Sequence, residues 1–149
     1  MPNTEDILRE LLDREQLKEL RARYFRFLDL RDQEGFATVF TEDAVLEVPE
    51  VDLVFRGREE IAAKVLASVS GAVSAHHGHT PELIFTGPDT ATGIWAMQDI
   101  VEWPRAASGE RIGITGVGHY RDEYVREDGE WRIAKVRLVR IRVQTLSEL

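Results

Sequence analysis

The chain has no cysteine, which removes a disulfide framework, a thiolate nucleophile and a cysteine-based metal site. Positive charge is in short supply. Nineteen Lys and Arg face 27 Asp and Glu, for a net charge of −8. Nucleic acid and anionic membrane surfaces call for clustered cations, so neither is an expected partner. No apolar run approaches a membrane span. The start, Met1 to Leu12, is acidic and amphipathic, unlike a signal peptide, so a soluble cytoplasmic protein is expected. There is no phosphate-binding glycine loop and no Gly-x-Ser-x-Gly. Internal repeats, low-complexity tracts and long linkers are also lacking. The 149 residues fit one domain, 1–149, with a sizeable core.

What is present is concentrated. Three of the four histidines stand together as His76-His77-Gly78-His79, and histidine is the side chain suited to take and give a proton near neutral pH. Before them the sequence reads as helix. Asn3 or Thr4 can cap a helix with Glu5 and Asp6 in its first turn. Apolar residues follow at helical spacing: Ile7, Leu8, Leu11, Leu12, Leu17, Leu20, Tyr24, Phe27 and Leu28. A short second helix carries Phe36, Val39 and Phe40. Two short strands, 44–48 and 53–55, precede a third helix over 58–68. From about residue 73 the period changes to two, with strands near 75–86, 91–103, 111–126 and 130–144. Asp128-Gly129 is a hairpin signal. Helices followed by a run of antiparallel strands define an α+β fold: a strongly curved sheet packed on N-terminal helices and enclosing a pocket.

On the fourth strand of this reading one face carries Gly93, Trp95, Met97, Asp99, Val101 and Trp103. An ionised Asp99 among large apolar groups needs a partner. His76 on the neighbouring strand offers one, forming a His–Asp dyad in which the carboxylate fixes the tautomer. Asp99 on the solvent face is the plainer alternative. Tyr24 and Asp29 lie late in the first helix but about 140° apart around it, so they flank a common pocket only if the helix end turns toward it. Tyr24 reads as a core tyrosine or as a hydrogen-bond donor to a carbonyl oxygen gaining charge. Asp29 reads as a solvated helix-end acid near Arg26 and Arg31.

His119 alternates with Tyr120 on a strand where Gly116 and Gly118 mark a bend or a cavity wall. It reads as a packed or surface histidine rather than a catalyst. Arg140, between Val139 and Ile141, can enter a pocket. In the last strand Trp131, Ile133, Val139, Ile141 and Val143 share one parity while Val136 and Leu138 take the other, as a bulge or burial on both faces would produce. The histidine cluster makes a poor metal site. On a strand His77 and His79 share one face and His76 takes the other, and no HExxH pattern occurs. No metal and no cofactor are expected.

Four segments carry a resemblance: Glu19–Asp29 (ELRARYFRFLD), His76–Glu82 (HHGHTPE), Thr90–Trp95 (TATGIW) and Gly129–Arg132 (GEWR). They resemble the SnoaL-like proteins of the nuclear transport factor 2-like superfamily of cone-shaped α+β domains. Within that group the likeness is nearest to bile-acid 7α-dehydratase and more distant to scytalone dehydratase and hexachlorocyclohexane dehydrochlorinase. The resemblance implies Tyr24, Asp29, His76 and Asp99 as the catalytic set. Trp95, Met97, His119 and Arg140 are the expected substrate contacts. It matches poorly over residues 45–75, the region that would line the cavity mouth. The expected function is a cofactor-independent dehydratase-type lyase acting on a hydrophobic, hydroxylated carbonyl ring compound, steroid- or polyketide-like. An isomerase or cyclase using the same proton abstraction is the alternative within enzymes. A noncatalytic ligand-binding or dioxygenase-beta-subunit-like module is the alternative outside them. Expected partners are a small hydrophobic substrate and further copies of the chain, as a homo-oligomeric dimer or trimer.

Overall fold

A computed structural model describes all of residues 1–149. The order is α1 (Thr4–Asp29), α2 (Gln33–Thr38), β1 (Phe40–Val48), β2 (Leu53–Arg56), α3 (Arg58–Ser68), β3 (Val73–Gly87), β4 (Thr90–Trp103), β5 (Ile112–Glu127) and β6 (Glu130–Thr145). A short 3-10 turn, Pro49–Val51, separates β1 from β2. The strands form one curved, unclosed sheet in the order β2-β1-β6-β5-β4-β3. The α+β expectation holds. The sheet is mixed rather than purely antiparallel, because β1 runs parallel to β6 while the other neighbours are antiparallel. Sequence periodicity sets which face of a strand is buried, but not which way a distant strand enters the sheet.

Alternation along β4 and β5 buries one parity. Ala91, Trp95, Met97, Asp99 and Val101 of β4 join Tyr120, Asp122 and Tyr124 of β5 against the helices. Leu17, Leu20, Tyr24 and Leu28 of α1 complete that layer. The first turns of α1 do not contribute, and Ile7, Leu8, Leu11 and Leu12 are all about half exposed. Asp13 is the first buried residue of the helix. It accepts hydrogen bonds from Arg126 (2.7 and 3.2 Å) and from the Trp131 indole (3.0 Å). The Asn3 cap is formed, its Oδ1 accepting from the Asp6 N–H at 2.9 Å. Asp128 and Gly129 both have positive φ (51° and 80°), as the β5–β6 hairpin turn requires. The phase change in β6 is a bulge. Tyr124 pairs with Ile133 and Glu123 with Lys135, which leaves Ala134 as the extra residue and moves the buried parity from Trp131 and Ile133 to Val136 and Leu138. A second bulge follows, where Gly118 pairs with Arg140 and Val117 with Arg142 and Ile141 is extra.

The end of α1 is pinned to β3. Arg31 takes a left-handed conformation (φ 60°) that stops the helix. Its guanidinium then donates to the carbonyls of Leu28 (2.7 Å) and Ala72 (2.6 Å) and to Ser74 Oγ (2.9 Å). This clamp holds Asp29, the last residue of the helix, over the edge strand of the sheet.

Candidate active site

β3 is an edge strand, so alternate backbone N–H groups point away from β4 and need partners elsewhere. Asp29 supplies one. Its Oδ2 accepts from the His76 backbone N–H at 3.0 Å. Its Oδ1 lies 2.6 Å from His76 Nδ1 and accepts from Ser74 Oγ at 2.9 Å. Burial pushes the Asp29 carboxyl up, but the hydrogen bonds from the His76 ring, the His76 backbone and Ser74 outweigh it. The group is held below the ordinary carboxylate range. A carboxylate at Nδ1 places the ring proton there and leaves Nε2 with its lone pair free.

The dyad is therefore His76–Asp29 and not His76–Asp99. The register places His76 directly opposite Asp99, but the imidazole leans toward α1. Asp99 is 1% exposed and pairs with Arg140, whose Nη2 donates to Oδ2 at 2.9 Å. Gly116 makes this possible. It stands between the two strands, opposite Asp99, and a Cβ there would fall 2.9 Å from Asp99 Oδ1 and 3.2 Å from Arg140 Nε. Only a residue without a side chain lets Arg140 reach across β5. A Gly116→Ala chain should accordingly lose about 1–3 kcal/mol of stability as the buried ion pair is forced apart. Urea unfolding measures this, and an unchanged midpoint would show that the pair adjusts freely.

A cavity of about 280 Å³ opens between the sheet and the helices. Fifteen of its eighteen lining residues are hydrophobic. The exceptions are Ser68, His76 and Arg140, to which the phenols of Tyr24 and Tyr120 add hydroxyls. The His76 imidazole and the Arg140 guanidinium thus face a space that is otherwise apolar. Arg140 Nε is buried with no protein partner, as is Asp99 Oδ1. The Arg140 backbone N–H donates to Glu50 Oε1 at 3.0 Å, tying the turn after β1 to the β6 bulge.

Three expected substrate contacts lie elsewhere. Trp95 is buried under the sheet, where its indole N–H donates to the Tyr124 hydroxyl at 2.9 Å. Met97 is 2% exposed and absent from the cavity wall. His119 sits at the opposite parity to Tyr120, on the uncovered face of the sheet. The face that carries Asp99 is thus largely core, and only its far end, at Val101 and Trp103, reaches the cavity. His77 and His79 stack on one another, ring centroids 6.1 Å apart, on the face away from His76. No group of three or more His, Asp or Glu side chains converges to hold a metal ion.

A second polar network escapes sequence reading. Arg21, wholly buried, donates to Asp122 Oδ1 at 2.9 Å. Asp122 Oδ2 accepts from the Tyr124 hydroxyl at 2.6 Å. The available signal was a charged residue at buried parity in each element: Arg21 in the stripe of Leu17, Leu20 and Tyr24, and Asp122 between Tyr120 and Tyr124.

A helix-backed curved sheet with an apolar cavity at its open end defines a cone-shaped α+β domain of the nuclear transport factor 2-like kind. The chain belongs to the SnoaL-like domain family, whose sequence profile matches residues 9–137. Among solved structures it is similar to a Mycobacterium tuberculosis protein of unknown function. The two are 29% identical with a TM-score of 0.75, over 91% of this chain and 76% of the other. A type 2 hexachlorocyclohexane dehydrochlorinase shares the fold at 21% identity and a TM-score of 0.80, over 95% and 94% of the two chains. A candidate scytalone dehydratase from Novosphingobium aromaticivorans does so at 19% and 0.81, over 92% and 89%. No helix is long and apolar enough to cross a membrane.

Proposed function

We propose that the chain is a dehydratase-type lyase in which His76, held by Asp29, is the base. The supporting observation is the 2.6 Å contact between His76 Nδ1 and Asp29 on the wall of an apolar cavity. His76 Nε2 takes the proton beside a substrate carbonyl, and the C–H electron pair moves into the enolate. Tyr24 and Arg140 donate hydrogen bonds where the oxygen gains charge. The enolate then expels the β-hydroxyl, which takes back a proton from the imidazolium and leaves as water, and a carbon–carbon double bond forms. Asp29 balances the imidazolium charge between these steps. Asp99 acts one step removed, by holding Arg140.

The cavity volume bears on the substrate. A cavity of about 150 Å³ accommodates benzene, so about 280 Å³ suits a compound of one or two rings better than a four-ring steroid skeleton. The test is incubation with a panel of one- and two-ring β-hydroxy ketones and acids, followed by mass spectrometry in deuterated water. Water loss that requires His76 is the expected result. Deuterium uptake without water loss would assign an isomerase. Binding of panel compounds without either change would assign a ligand-binding module.

A further inference from the structure

Arg21 is the largest fully buried side chain of the protein, and the proton-transfer scheme leaves it without a task. Its single hydrogen bond runs from Nη2 to Asp122, and Nε and Nη1 have no partner. A buried ion pair of this kind is a weak source of stability, since apolar residues of similar volume often do as well. Its surroundings are more telling. The guanidinium carbon lies 4.1 Å from the ring centroid of Tyr24 and 3.9 Å from that of Tyr120. The two rings are 6.1 Å apart and inclined at 64°. Phe25 closes a third side at 5.2 Å. The guanidinium is a wedge between the two phenols that line the cavity.

We propose that Arg21 is a positioning residue for the cavity, fixing the angle between Tyr24 and Tyr120 and presetting the Tyr24 hydroxyl as the hydrogen-bond donor to the substrate oxygen. The donor role rests on the lyase reading above; the wedge does not. A planar cation between two ring faces holds both rings through cation–π attraction that burial strengthens. It also draws electron density from the phenols, favouring proton donation from the hydroxyl. Asp122 and Tyr124 fix the wedge from below, and Arg140 and Asp99 are the other charged groups near these phenols.

The two phenols are not equivalent. Burial pushes Tyr24 up from the usual phenol range, with Arg21 acting against it. Burial and the neighbouring Tyr24 carry Tyr120 well above that range, and burial and Asp122 do the same for Tyr124. Removing Arg21 and Asp122 together should raise Tyr24 further, because the effect of Arg21 on Tyr24 exceeds the opposing effect of Asp122.

The test needs no substrate. The chain has three tyrosines, so carbon-13 labelling at Cζ gives three signals, assigned by Tyr→Phe replacements and followed from neutral pH upward. The onset of the Tyr24 titration in the parent chain is the reference. In Arg21→Met combined with Asp122→Asn, a neutral pair of similar volume, that onset should move up by at least about one pH unit, a tenfold change in ionisation. Arg21→Lys keeps the charge and loses the plane. There the Tyr24 and Tyr120 signals at neutral pH should shift or broaden as the rings lose their fixed angle. If the neutral pair unfolds, or the parent unfolds before Tyr24 titrates, the neutral-pH signals of Arg21→Lys decide. Signals in Arg21→Lys that coincide with those of the parent, or an unmoved Tyr24 onset in the neutral pair, would overturn the proposal. Those results would leave the lyase reading standing. A moved Tyr24 signal in a chain that dehydrates nothing would support the wedge and reject the lyase.

Discussion

His76→Ala should fold as the parent does and lose turnover on any compound dehydrated in the panel, by about 10²–10⁴-fold. The size follows from removing the only group at the cavity wall placed to accept a carbon-bound proton, while the apolar wall, Tyr24 and Arg140 remain to bind. The fold should survive. The side chain ends at a helix–strand seam, and Asp29 keeps its bonds from the His76 backbone N–H and Ser74. The loss of one charge-assisted hydrogen bond amounts to about 1.5–3 kcal/mol at most. Steady-state kinetics beside a thermal melt separate the two effects. Full turnover in a folded variant would move the base elsewhere, with Asp29 the next candidate.

Asp29→Asn should cost nearly as much in rate, about 10²–10⁴-fold, for a different reason. The amide can turn its NH₂ toward Nδ1, which then accepts, and the ring proton moves to Nε2, where the base is needed. The same substitution changes the response to acid. The folded Asp29 carboxyl lies below its unfolded value, so ionised Asp29 stabilises the parent fully above the unfolded carboxylate pKa of about 3.9. That contribution fades as pH falls through the lower folded value. The melting temperature of the parent should therefore exceed that of Asp29→Asn near neutrality, and the gap should close on the acid side. A gap that widens toward acid would mean that the carboxyl is not held by these bonds.

Much of the architecture is legible from spacing. The third helix is found over 58–68 as read. The four long strands differ by one or two residues at their ends, because alternation persists across them and turn residues bound them. β1 begins at Phe40, earlier than its apolar run suggests. Phe40 and Val39 read as helical because they continue the period of Phe36. The site is less legible, because its decisive contacts are long-range. The cost of burying Asp99 signals a partner but does not say which, and the choice of Arg140 depends on an absent side chain at Gly116, one strand away. Asp29 looks solvated from its helical phase. It enters the site through the left-handed stop at Arg31 and the clamp to Ser74 and Ala72, which no periodicity encodes. The one hydrogen bond of the Arg21 wedge spans 101 residues to Asp122.

The cavity wall divides unevenly along the chain. Leu46, Val48, Val51, Leu53, Phe55, Val65, Ser68 and Val69 come from one continuous stretch, whereas Tyr24, His76 and Arg140 of the wall, with Asp29 and Asp99 behind the latter two, are scattered over four other elements. Close to half of the wall is therefore set by a stretch that carries none of these polar groups. Side-chain replacements within 46–69, sparing Glu50, which holds the Arg140 backbone, can re-cut one side of the chamber for a different ring system while α1, β3, β4 and β6 keep their polar groups in place. That makes this stretch an exchangeable cassette, and it marks where a designer should spend a combinatorial library first.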